Sequence, residues 1–162
     1  MILVADTGPL NYLVLIESVE VLGILYNSVV VPESVARELQ HAGAPEPVKA
    51  WVNQLPAWCE VRPDPPANLS FPLLGSGERS AIDLAISLNA SLLLMDDWAG
   101  RMEAVQKHLP VIGTLGVLAE AHRRQLVDFE DAVGRLRRTS FYLSEKLLAT
   151  LRRQLALRRA DL

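Results

Sequence analysis

S-L-L-L-M-D-D-W-A-G-R, residues 91–101, sets four apolar residues directly against two adjacent carboxylates, Asp96 and Asp97, with no basic group before Arg101. The run Leu92–Met95 lacks polar alternation, which predicts a strand buried on both faces. A buried strand that ends in clustered negative charge loses stability unless something offsets it. Working outward, the same kind of run recurs at Ile2–Asp6 and Val29–Val31 (closed by Pro32), and Cys59–Val61 and Pro110–Ile112 read as short strands.

Helical spacing fills the intervals. Leu10, Leu13, Val14 and Ile16, then Val21, Leu22 and Leu25, fit helix after Pro9. Pro32 makes a good first helical residue, followed by the Val35–Leu39 stripe. Further helices are expected over 45–55, 75–88, 97–108, 114–124, 128–138 and 144–159. In the last of these, Leu147, Leu148, Leu151 and Leu155 form an apolar stripe that suits the chain's own core or a second chain equally. R-P-D-P-P-A-N-L-S-F-P, residues 62–72, reads as a proline-rich loop. Non-alternating strands separated by helices indicate a parallel sheet covered on both faces, so the fold class is α/β in a single domain.

Size and composition narrow the field. The chain has 162 residues, half of them hydrophobic and 22% charged, as expected for a folded domain with a real core. No apolar run approaches the ~18 residues of a membrane span. The N-terminus lacks the basic region of a signal peptide, and a cytoplasmic protein is expected. The single Cys59 excludes an internal disulfide framework and a multi-cysteine zinc site. The net charge of −3 conceals an asymmetry: residues 1–121 balance to −8 and residues 122–162 to +5. A basic flank beside an acidic centre suits a polyanion held next to bound cations, and a solvated C-terminal helix face explains the same numbers.

In open parallel sheets, sites form at the carboxyl ends of strands. Asp6 ends the first run, and Asp96 and Asp97 end Leu92–Met95. Glu38 lies beside the Val35–Leu39 stripe, and Glu78 opens the helix after Gly75-Ser76-Gly77. Each has a simpler explanation: Asp6 as a helix cap, Glu78 as a complement to the helix dipole, Glu38 as an exposed polar position. Asp83, five residues after Glu78, points to a different side of that helix and reads as a surface or salt-bridging residue. Taken together, the acids gather where one cleft can collect them. Such a cluster stays ionised most readily around a hard divalent cation with oxygen ligands, Mg²⁺ or Mn²⁺, which activates water against a phosphodiester.

Other chemistries find less support. Asp6-Thr7-Gly8 is a weak match to the aspartic-protease triplet, which belongs to a β-rich fold. Gly75-Ser76-Gly77 lacks the lysine and preceding strand of a phosphate loop. His41, His108 and His122 have no metal-ligand spacing, and Ser76, Ser80 and Thr114 have no sequence-local base.

V-A-D-T-G-P-L, V-V-V-P-E-S-V-A-R-E-L, G-S-G-E-R-S-A-I-D-L-A, L-L-L-M-D-D-W-A-G-R and V-I-G-T-L-G-V-L together resemble the PIN-domain family. The likeness is closest to a prokaryotic single-domain branch of nucleases. It implies a three-layer domain over residues 1–162, with a central, mostly parallel sheet of four or five strands flanked by helices. The core would span about 1–125, with extra C-terminal helices over about 126–162. It further implies a metal-dependent ribonuclease site. Position by position, the acids fall on Asp6, Glu38, Glu78 and the pair Asp96–Asp97. Asp6, Glu78, Asp96 and Asp97 are the implied metal-ligand candidates. Spacing from Glu78 favours Asp96, and the following Arg101 favours Asp97.

Two departures stand out. Glu78 replaces the more usual Asp, and Leu94 or Met95 stands where a hydroxyl residue often precedes the last acid. Thr7 matches the small hydroxyl residue usual after the first acid. RNA contacts are expected from Thr7 and Arg101, and from Arg123, Arg124, Arg137 and Arg138, each of which also suits a solvated helix face. The resemblance implies the toxin of a toxin–antitoxin pair, with RNA as substrate, a small antitoxin protein as partner, and dimerisation. The alternatives are a non-catalytic RNA- or protein-binding module and a small-molecule phosphohydrolase.

Overall fold

The computed structural model describes residues 1–66 and 74–160. The expected loop over 62–72 is described as far as Pro66, and its remainder lies outside the described residues. Two compact units divide the chain, Met1–Thr114 and Leu115–Leu162.

The first unit is built on a five-stranded, all-parallel sheet. Its strands are β1 (Ile2–Ala5), β2 (Ser28–Pro32), β3 (Cys59–Arg62), β4 (Leu92–Leu94) and β5 (Val111–Ile112), in the order β3-β2-β1-β4-β5. Between them lie α1 (Thr7–Leu15), α2 (Val21–Tyr26), α3 (Glu33–Leu39), α4 (Glu46–Asn53), α5 (Ser76–Ser87) and α6 (Trp98–Gln106). Val4 pairs with Val30 on one side and Leu93 on the other, so all three project from one face. There they join Ala81, Ile82 and Ala85 of α5 and Ala104 of α6 in one buried cluster. Leu3, Ala5, Val29 and Val31, on the opposite face, are equally buried. Strands buried on both faces have no polar positions to alternate, which is why the runs read as continuous.

The spacing from Leu10 to Leu25 proves to be two helices. Glu17 takes a left-handed conformation (φ 59°), and the Ser18 N–H reaches back to the Leu13 carbonyl at 2.8 Å, which ends α1. The same kind of stop closes α5 at Asn89 and α6 at His108.

The second unit contains α7 (Thr114–Arg123) from Leu115 onward, α8 (Phe129–Leu136) and α9 (Glu145–Ala160). Asp128 caps α8, accepting from the Asp131 N–H at 2.8 Å. Phe129, Ala132, Val133 and Leu136 are buried, as are Leu148 and Leu151. The expected α9 stripe is therefore only partly interior: Leu147 is 45% exposed and Leu155 is half-buried. Arg152 grips Glu130 through two 2.7 Å bonds, and Arg137 bonds Glu145 at 2.8 Å. Among the described residues, no helix is long and apolar enough to cross a membrane.

Candidate active site

The chain leaves β1 toward β2 and β3 on one side and reaches β4 and β5 on the other. The crevice beyond the carboxyl ends of β1 and β4 is thus the point where strand order reverses, the usual ligand position in a parallel sheet. Ala5 pairs with Leu94, and the Asp6 N–H donates to the Leu94 carbonyl at 3.0 Å. This register sets the residues after β1 and β4 side by side.

Asp6 is only 4% exposed. It occupies the N-cap position of α1, yet its side chain makes no capping bond. Its Oδ1 is buried and has no hydrogen-bond partner among the described residues. Burial pushes its carboxyl up to about 7, against the Thr7 backbone N–H, and the charges of Glu78, Glu38 and Asp97 push in the same direction as burial. The simple capping role is therefore not what this carboxylate does.

Glu38 reaches the site from α3 and Glu78 from the first turn of α5. The Thr7 hydroxyl donates to the Glu38 carboxylate. Gly77 provides the space for it: a Cβ there would stand 2.7 Å from Glu38 Oε1. Glu78 folds its carboxylate back over Gly75. The start of α3 is held from outside by Asp64, which accepts from the Ser34 N–H and Oγ, both at 3.1 Å, and from Arg37 at 3.3 Å. Sequence reasoning passed over Asp64 because nothing local ties a loop aspartate to a helix thirty positions away.

Asp96 and Asp97 have separate roles. Asp96 turns to Thr114, whose N–H donates to Oδ1 at 2.8 Å and whose hydroxyl donates to Oδ2 at 2.5 Å. Burial raises its carboxyl, while the Thr114 bonds and nearby Arg101 hold it down. Asp97 caps α6 with one oxygen, accepting from the Gly100 N–H at 2.8 Å, and its charge is felt at Asp6. The structure thus brings Asp6, Glu38, Glu78 and Asp97 into one electrostatic neighbourhood and gives Asp96 a different partner. Thr114, dismissed as a nucleophile for want of a base, is that partner; the G-T step opening a helix after β5 was its only signal. Asp83 is not among the charges that raise Asp6; burial raises its own carboxyl and Arg79 opposes.

The arginines are mostly engaged within the chain. Arg101 donates to the Met95 carbonyl at 2.9 Å. Arg123 and Arg124 share Glu120, at 2.8 and 3.3 Å, and Arg137 holds Glu145. Arg138 is exposed. The Arg137–Glu145 pair is exposed, and a pair of that kind contributes little to stability.

The acids are all-oxygen donors, which suits a hard divalent cation, and the unpaired buried Asp6 Oδ1 is an atom that a cation would satisfy. Among the described residues, however, no three acidic, histidine or cysteine side chains stand close enough to hold one ion together. The fit is to an ion of the Mg²⁺ kind, which takes one or two carboxylates and keeps several waters.

No curated protein matches the chain. A family model described as a PIN domain matches residues 2–156, through both compact units. With an all-parallel five-stranded sheet and acids at its reversal point, the chain has a nuclease-type fold and belongs to the PIN-domain family.

Proposed function

We propose that this protein is a Mg²⁺- or Mn²⁺-dependent endoribonuclease that hydrolyses RNA phosphodiester bonds. The observation that carries the reading is the buried Asp6 carboxylate, with one unpaired oxygen and three further carboxylates close enough to raise its pKa. PIN domains are generally nucleases and typically use divalent metals.

In this reading Asp6 is the anchoring ligand, and Glu78 and Asp97 join it directly or through water. Asp96 holds the β4–α6 turn in place through Thr114. When bound, the cation lowers the pKa of a water and neutralises charge developing at the phosphate. Glu38, its carboxylate oriented by Thr7, accepts a proton from the attacking water, and the leaving ribose oxygen is protonated from solvent. Arg101, Arg123, Arg124, Arg137 and Arg138 supply phosphate contacts, which makes binding salt-dependent and largely blind to sequence.

Because the family match runs through both units, residues 1–162 are read as one functional domain. The resemblance noted above supports a cytoplasmic toxin of a toxin–antitoxin pair, restrained by a small antitoxin and acting as a homodimer.

One observation favours a second reading. The carboxylates do not close on a single point among the described residues, and Leu94-Met95 lacks the hydroxyl often found before the last acid. A non-catalytic RNA- or protein-binding module accommodates both facts. Cleavage of unstructured RNA with Mg²⁺ or Mn²⁺, with EDTA, and with Asp6→Asn separates them. Metal-dependent cleavage lost on substitution supports the nuclease. RNA binding without cleavage, unchanged in Asp6→Asn, supports the module.

A further inference from the structure

A groove of about 390 Å³ opens beside the acids, in the first unit. Thr7 and Glu38, the bonded pair of the candidate site, form one end of it. Leu39 and Val48 provide apolar wall, and Asn11 and His41 provide polar groups. We infer that this groove is a nucleobase subsite, which takes one unstacked base of single-stranded RNA next to the cleaved phosphate.

Four features favour that occupant. The volume falls within the range of small-ligand pockets, which pair apolar walls with a few polar groups. The Glu38 carboxylate at its end repels a phosphate, so an anionic group is the wrong partner and a neutral ring the right one. Asn11 offers a donor and an acceptor that no other described residue uses, which matches the hydrogen-bonding edge of a base. The His41 ring accepts the Gly43 N–H at Nδ1, at 3.0 Å, which leaves Nε2 as a further polar group. Continuity with Glu38 and Thr7 then makes the base and the attacked phosphate parts of one strand. The inference rests on the ribonuclease reading for that last step only.

The test uses one single-stranded oligoribonucleotide sequence in a set of versions, each with a single abasic position. Cleavage by the wild-type protein with Mn²⁺ is read as kcat/KM. Binding is read as Kd on Asp6→Asn, which is expected to hold RNA without cutting it. Two variants alter the groove: Ala44→Trp fills it and Asn11→Ala removes its amide, with folding checked by circular dichroism and Tm. The expected result is one position beside the cut where base removal costs the wild type roughly 5- to 100-fold. That cost shrinks to near nothing in both groove variants. The inference is overturned if no position shows such a cost, or if the cost persists in Ala44→Trp, as it would were the groove made for a peptide. If RNA is bound but never cut, the nuclease reading fails alone, and the Kd series decides the subsite by the same criterion.

Discussion

Thr114 takes up both carboxylate oxygens of Asp96, its N–H at 2.8 Å and its hydroxyl at 2.5 Å. The two lie eighteen positions apart, and the bonds pin the turn after β4 to the residue that ends the first unit after β5. Thr114→Val keeps the shape and the backbone bond but removes the hydroxyl donor. We expect a loss of about 1.5–3 kcal/mol, as for a bond to a charged group, measured by urea unfolding. If Asp96 acts as a strut, Asp96→Asn and Thr114→Val lower cleavage by similar modest factors. A far larger loss for Asp96→Asn alone would make it a direct ligand.

Asp6 makes the metal-free protein pH-sensitive. Its carboxyl titrates near 3.8 in the unfolded chain and near 7 when folded, so the folded state binds the proton more tightly. Its stabilising contribution is complete below about pH 4 and is lost as pH rises through 7. The full swing is about 4 kcal/mol at most. Tm in EDTA is expected to fall from pH 5 to pH 8 in the wild type and to change less in Asp6→Asn. Mn²⁺ at pH 8 should restore Tm in the wild type only.

Gly77 separates activity from stability. Alanine is favoured over glycine in a helix by about 1 kcal/mol, but its Cβ would sit 2.7 Å from Glu38 Oε1. Glu38 is an exposed, flexible side chain, so it can swing away without unfolding α3 or α5. Gly77→Ala is expected to keep or raise Tm while lowering kcat by roughly tenfold or more, within the range of a displaced supporting group. Unchanged kcat would remove Glu38 from the mechanism.

Asp64 holds the helix that carries this glutamate. Asp64→Ala strips the start of α3 of the bonds to Ser34 and Arg37, at an expected cost of about 1–2 kcal/mol. Because α3 carries Glu38, kcat should fall with it, and Asp64→Asn, which keeps an acceptor oxygen, should recover part of both.

Local pattern was enough for the strands, and for the acids that end them. Leu92–Leu94 and Ile2–Ala5 are apolar throughout because both faces are covered, and an acid just beyond such a run lies at a strand's carboxyl end by construction. Helix ends were harder to read. The residues that stop α1, α5 and α6 in the left-handed conformation are Glu17, Asn89 and His108, where glycine is the usual signal.

Sequence by itself determined the α/β class and put Asp6, Asp96 and Asp97 just beyond strands, since periodicity and strand ends are local properties of the chain. Only the tertiary structure decided which acids meet. Pairing of β4 with β1, not with β3, is a choice between strands distant in sequence, and it creates the crevice where Asp97 is felt at Asp6. The division between Asp96 and Asp97 depends on Thr114, and the place of Glu38 depends on the missing side chain of Gly77. Contacts at that separation leave no periodic trace, because each is made by a single pair of residues brought together by the fold.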